Sequence, residues 1–103
     1  MQKNLNVKSF DGVELNTTID TPSDVKAVIV IVHGLCEHQG RYERLVKKLT
    51  DHCYKVYRFD QRGHGKSGGE RYFYSTKDEI IDDCNAIVDF AKSENPNHKI
   101  YVI

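Results

Sequence analysis

Apolar and polar positions alternate through most of the first twenty residues. Leu5, Val7 and Ser9 alternate with polar neighbours, Asp11-Gly12 supplies a turn, and Val13, Leu15, Thr17 and Ile19 alternate again. Two period-two runs around such a dipeptide predict an antiparallel hairpin. After Thr21-Pro22-Ser23-Asp24 the pattern changes. Val25 to Val32 is an almost unbroken β-branched run, which predicts a central parallel strand covered on both faces. The period then lengthens: Tyr42, Leu45, Val46 and Leu49 recur at helical spacing between Arg41 and His52, with charges opposite, and predict a helix packed on a sheet. Tyr54 to Asp60, carrying Val56, Tyr57 and Phe59, predicts a second parallel strand, followed by a Gly-rich loop that runs to about Ser75. Thr76 and Glu79 fit a capping box, and Ile80, Cys84, Ile87, Val88 and Ala91 follow as the inner stripe of a second helix. Asn95-Pro96-Asn97 stops that helix, and Lys99 to Ile103 begins one more apolar strand.

A hairpin followed by β-α-β-α-β is an α/β architecture, with mostly parallel strands and right-handed crossovers. The last strand sharpens this. A buried parallel strand needs a layer on each face and normally feeds a further helix, so residues 1–103 are expected to be the first part of one larger domain.

Composition narrows the function. Fifteen Lys and Arg balance 15 Asp and Glu, which argues against the basic footprint that nucleic acid requires. The longest apolar run is far shorter than the roughly 20 residues of a membrane span. Met1 to Phe10 shows no signal-peptide pattern, so a cytoplasmic address is expected. Cys36, Cys53 and Cys84 lie in no CxxC spacing and fit reduced thiols, with Cys53 and Cys84 as core filler.

The segment YRFDQRGHGKSGG, residues 57–69, matches three generic motifs without the structure any of them needs. Gly63-His64-Gly65-Lys66-Ser67-Gly68 spells GxGxxG, yet the helix that should open on it starts only near Thr76. Gly65-Lys66-Ser67 resembles the end of a phosphate-binding loop, but Asp60 stands where its first Gly belongs. Gly65 to Gly69 reads GxSxG, with Ser67 in mid-loop where a nucleophile elbow requires a strand-to-helix turn. His33-Gly34-Leu35-Cys36-Glu37-His38-Gln39-Gly40-Arg41-Tyr42 is more informative, because it leaves the central strand for the first helix. A backbone N–H emerging there can point into the cleft at the carboxyl ends of parallel strands.

Three stretches together, VIVIVHGLCEHQGRYERL, YRFDQRGHGKSGGERYFY and IYVI, resemble the α/β-hydrolase superfamily, most closely its monoacylglycerol lipase and lysophospholipase-like branch. In that branch the matching motifs read HGxxEHxxRY and DxRGHGxSxGxR, in this order. The resemblance implies that Leu35 donates an oxyanion-hole backbone N–H. It further implies that His33, Gly34, Cys36, Glu37, His38, Arg41 and Tyr42 shape that loop, and that Asp60, Arg62, Gly63, His64, Gly65 and Ser67 brace the site from the side. It places the nucleophilic Ser about three residues beyond Ile103, with the acid and the catalytic His further on. The triad is thus expected outside residues 1–103, and this chain alone is expected to be inactive.

The expected function is a serine ester hydrolase acting on lipid-type monoesters through an acyl-enzyme, completed by the rest of its domain. No cofactor and no metal are expected. His33, Glu37, His38 and His64 share no ligand spacing, and Cys36 has no placed base. A non-catalytic module pairing through the edge of Lys99–Ile103 is the alternative from another class. Epoxide, haloalkane or amide cleavage is the alternative within the fold. Lys77, Asp78, Glu79, Asp82 and Asp83 are expected to form a solvated helix face.

Overall fold

The computed structural model describes residues 1–32, 43–60 and 77–103, with the side chains of 77–80 excepted. Its elements run β1 (Gln2–Lys8), β2 (Glu14–Asp20), β3 (Ala27–Val32), α1 (Glu43–Asp51), β4 (Tyr54–Phe59), α2 (Lys77–Glu94) and β5 (Ile100–Val102). All five strands lie in one sheet of order β1-β2-β4-β3-β5. The hairpin is antiparallel, pairing Leu5 with Thr17 and Val7 with Leu15. β2 runs antiparallel to β4, while β3 is parallel to both β4 and β5. The expected α/β architecture is therefore present, with the apolar β3 in the interior of the sheet.

The hairpin turn depends on Gly12, whose φ of 87° lies in the left-handed region. Its N–H donates to Ser9 O at 3.0 Å, and Ser9 N–H donates to Val13 O at 2.9 Å. That pattern is a type I turn closed by a bulge residue, for which a residue without Cβ is favoured.

Alternation along β3 and β4 divides the core in two. Val28, Val30, Tyr57 and Phe59 join Val7, Leu15 and Ile19 beneath Ile87 and Ala91 of α2. Ile29, Ile31 and Val56 face the other way and pack with Val46 of α1. β3 therefore reads as a continuous apolar run because each of its faces meets a helix.

Three expectations need correction. Asp83 is not part of a solvated face: it is 2% exposed and accepts a hydrogen bond from the Ser9 hydroxyl, which ties the hairpin to α2. Leu45 stands at the rim of the α1 stripe, 37% exposed, leaving Val46 and half-buried Leu49 to make the contact. Cys53 is not core filler. It occupies the left-handed turn between α1 and β4 (φ 69°), where its N–H donates to Thr50 O at 3.0 Å. A helix that must reverse at once into a strand uses such a position, and the usual Gly or Asn signal is absent. Cys84 does pack against the α2-side core. Burial, then the Asp83 charge, pushes its thiol above the ordinary value. Thr76 of the expected capping box lies outside the described residues.

Candidate functional site

The site is approached through the ends of three strands. Val32 pairs with Phe59 in the parallel β3–β4 ladder, so the chain leaves both strands at the same sheet edge, side by side. Adjacent strands are separated by roughly 4.8 Å, which sets how close the ends of β3 and β4 stand. On the other side of β3, Val32 N–H donates to Ile103 O at 2.9 Å, and Ile103 N–H donates to Val30 O at 3.0 Å. Asp60, Val32 and Ile103 thus form a row along one carboxyl edge. Open α/β sheets place their ligands outside this edge, where connections diverge to the two faces.

Of the residues expected to build the site, Asp60 is described. It is 3% exposed, and its N–H donates to Asn16 O at 2.9 Å, so β2 holds the end of β4. His33, Gly34, Leu35, Cys36, Glu37, His38, Arg41, Tyr42, Arg62, Gly63, His64, Gly65 and Ser67 lie outside the described residues.

The sequence reading missed Arg58, two residues before Asp60. Its side chain is 2% exposed, on the α1 face of the sheet, and its Nη2 lies 2.9 Å from Glu43 Oε1 and 3.4 Å from Asp20 Oδ2. A buried guanidinium requires such partners, because a desolvated cation without them is costly. The available signal was an Arg inside a strand expected to be covered on both faces. Its partners, on β2 and α1, are far away in sequence.

Among the described residues, no group of three or more His, Cys, Asp or Glu can hold a metal ion, and no helix is long and apolar enough to cross a membrane. The chemistry the described geometry permits is backbone hydrogen bonding at the strand ends, with buried polar groups behind it.

Comparison with known proteins bears on the class directly. The family model described as serine aminopeptidase, S33, matches residues 23–103, and the chain belongs to this family of α/β-hydrolases. Over 86 residues, 82% of the chain, it is 35% identical to a monoacylglycerol lipase of Mycolicibacterium smegmatis, of which it covers 31%. It is also 35% identical over 78 residues, 76% of the chain, to the monoglyceride lipase of Homo sapiens, of which it covers 26%. Among solved structures, the esterase Pf2001 of Pyrococcus furiosus superposes with a TM-score of 0.82 at 27% identity, over 99% of this chain and 40% of that one. A soluble variant of monoglyceride lipase from Saccharomyces cerevisiae gives 0.83 at 22% identity, over 99% and 34%, and supports the fold. The likeness to the monoacylglycerol lipase branch read from the sequence is borne out. The chain spans 31% and 26% of the length of the two lipases it matches.

Proposed function

We propose that this chain is the oxyanion-loop portion of a serine ester hydrolase that cleaves lipid-type carboxylic esters, monoacylglycerols or lysophospholipids. The observation that carries the proposal is the row of strand ends. The segment with HGLCEH leaves β3 between the end of β4, which carries the RGHGKS segment, and Ile103 of β5. Relatives that share these segments are named monoacylglycerol and monoglyceride lipases. In this reading Leu35 supplies one oxyanion N–H. His33, Gly34, Cys36, Glu37, His38, Arg41 and Tyr42 shape its loop, and Asp60, Arg62, Gly63, His64, Gly65 and Ser67 brace it. In this reading a Ser following β5 leaves the sheet next to the end of β3, because Ile103 O already accepts from Val32 N–H.

The reaction then follows from these positions. The Ser oxygen attacks the ester carbonyl carbon while a His removes its proton. The carbonyl electron pair moves to oxygen, and this oxyanion accepts hydrogen bonds from Leu35 N–H and from an N–H beside the Ser. Collapse breaks the bond to the alcohol oxygen, which takes the proton from His, and water repeats the sequence on the acyl-enzyme. Losing one oxyanion donor costs about 3–4 kcal/mol of barrier. Residues 1–103 hold none of the triad in this reading and do not act alone. The free thiols Cys53 and Cys84 suit a reducing, cytoplasmic compartment.

The test is reconstitution: residues 1–103 are co-expressed with the part of the Mycolicibacterium smegmatis lipase outside its matched region, and monoacylglycerol hydrolysis is followed. Turnover by the pair and by neither half is expected. Leu35→Pro, which deletes the N–H, lowers kcat by about a hundredfold or more, while Leu35→Ala keeps most of it. Turnover by residues 1–103 alone refutes the placement of the triad, and a stable pair without ester hydrolysis refutes the activity.

A further inference from the structure

Arg58 is the largest fully buried side chain among the described residues, and nothing in the proposed reaction uses it. Its placement is specific. It sits on β4 two residues before Asp60, at the strand end from which the RGHGKS segment leaves. Its Nη2 reaches Glu43 Oε1 at 2.9 Å, and Glu43 is the first residue of α1, next in sequence after the HGLCEH-containing segment of residues 33–42. From the other side Asp20, at the end of β2, approaches the same nitrogen at 3.4 Å. One guanidinium therefore links the strand from which one motif segment departs to the helix turn into which the other returns.

Stability alone does not account for such a residue. A buried ion pair commonly breaks even against well-packed apolar side chains of similar volume, so its return lies in fixed geometry. Both carboxylates converge on the one nitrogen Nη2 at the end of a rigid planar group, so a Lys replaces it only if its flexible stem carries the ammonium to the same point. Glu43 is itself 68% exposed and has water as an alternative, so its contact is made because the buried cation is there.

We infer that Arg58 is a positioning residue: through Glu43 and Asp20 it sets the start of α1 against the ends of β2 and β4, and so fixes where the oxyanion loop is anchored. This rests on the proposed ester hydrolysis. An anchor that shifts moves the donors away from the transition-state oxygen more than from the bound ester, so kcat falls while KM stays.

The experiment compares Glu43→Gln, Arg58→Lys and Arg58→Met in the reconstituted hydrolase, with hydrogen exchange of the intact 103-residue chain alongside. Glu43 lies at the surface, so Glu43→Gln is expected to fold. It is expected to lower kcat roughly threefold to tenfold with KM within about twofold, and Arg58→Met to lower kcat up to about a hundredfold. Arg58→Lys should recover part of that loss. In the isolated chain, amides of Lys47 to Leu49, whose acceptors lie in the first turn of α1, should exchange about threefold or more faster in Glu43→Gln. Unchanged kcat in both Glu43→Gln and Arg58→Met overturns the inference, as do parallel changes in kcat and KM. If the unsubstituted pair hydrolyses no ester, the activity reading fails by itself. The exchange result then decides this inference, and unchanged exchange in Glu43→Gln rejects it.

Discussion

The two faces of the sheet are built from alternate residues of the same strands and are finished differently. On the α2 face, Leu15, Val28, Val30, Tyr57 and Phe59 lie fully buried beneath Ile87 and Ala91. The polar groups at its margins are tied in pairs: the Ser9 hydroxyl donates to Asp83, and the Tyr57 hydroxyl donates to Glu94. On the α1 face the apolar cluster is Ile29, Ile31, Val46 and Val56, with Arg58 buried near it. Beside that cluster lies a groove of about 590 Å³ lined by Ala27, Ile29, Leu49, Tyr54, Tyr101 and Ile103 with Lys26 and Lys99. Helix length explains much of the contrast. The 18 residues of α2 reach about 27 Å, whereas the 9 of α1 reach about 14 Å at 1.5 Å per residue. The same alternation thus gives a closed core where a long helix lies over it and an ion-paired, open one where a short helix does.

Truncating one residue on each face tests this most strongly. Phe59→Ala should cost about 3–5 kcal/mol in urea unfolding, since it empties a site that is 0% exposed under α2. Val46→Ala, with fewer atoms lost and a thinner layer around it, should cost about 1–2 kcal/mol. Equal losses would show that the faces are equally closed.

A second difference is titratable. Burial first, then the hydrogen bond and charge of Glu94, push the Tyr57 phenol above its ordinary value of 10.0, against an opposing bond from Asn95. Because the folded value is the higher one, the stabilisation is complete below pH 10 and is lost as pH rises through 10 towards it, as the unfolded chain loses its proton first. Tyr57→Phe should therefore cost about 1 kcal/mol at neutral pH and show a shallower decline by about pH 11. Parallel pH profiles for the two proteins would mean that the phenol is not held under α2 as described.

The hairpin that delivers Val7 and Leu15 to this face gives an effect of comparable size. Nothing lies within 4 Å of a Cβ placed on Gly12, so Gly12→Ala meets no steric clash. The cost is conformational, about 1–2 kcal/mol for a left-handed residue, and a neutral result in urea unfolding would show that the turn relaxes freely.

What the sequence made legible follows the same division. Period and β-branching marked β3 and its two covered faces, Asp11-Gly12 marked the turn, and the Ile87–Ala91 stripe marked the longer helix. Strand order was not legible: β4 enters between β2 and β3 because of packing, which no local pattern encodes. Arg58 was missed and Asp83 misjudged for a related reason. A charge is read as solvated unless its partner is known, and Asp20, Glu43 and Ser9 meet these residues only through the fold. At the site, the sequence indicated the strand ends and Asp60. The oxyanion and bracing roles came from matched motifs, whose other residues lie outside the described ones.

The smallest expected effect is the sharpest probe of the open face. Tyr101 lines the groove and is 51% exposed, so half of its ring already meets water in the folded chain. Tyr101→Ser should change stability by no more than about 0.5 kcal/mol, as surface substitutions do. The same change in the reconstituted hydrolase separates two meanings of the groove. If the completing segment covers Tyr101, the substitution weakens association of the halves while leaving the isolated chain as stable as before. If instead the isolated chain loses as much as Phe59→Ala costs, the groove is already closed by this chain's own residues, and the contrast between the faces fails.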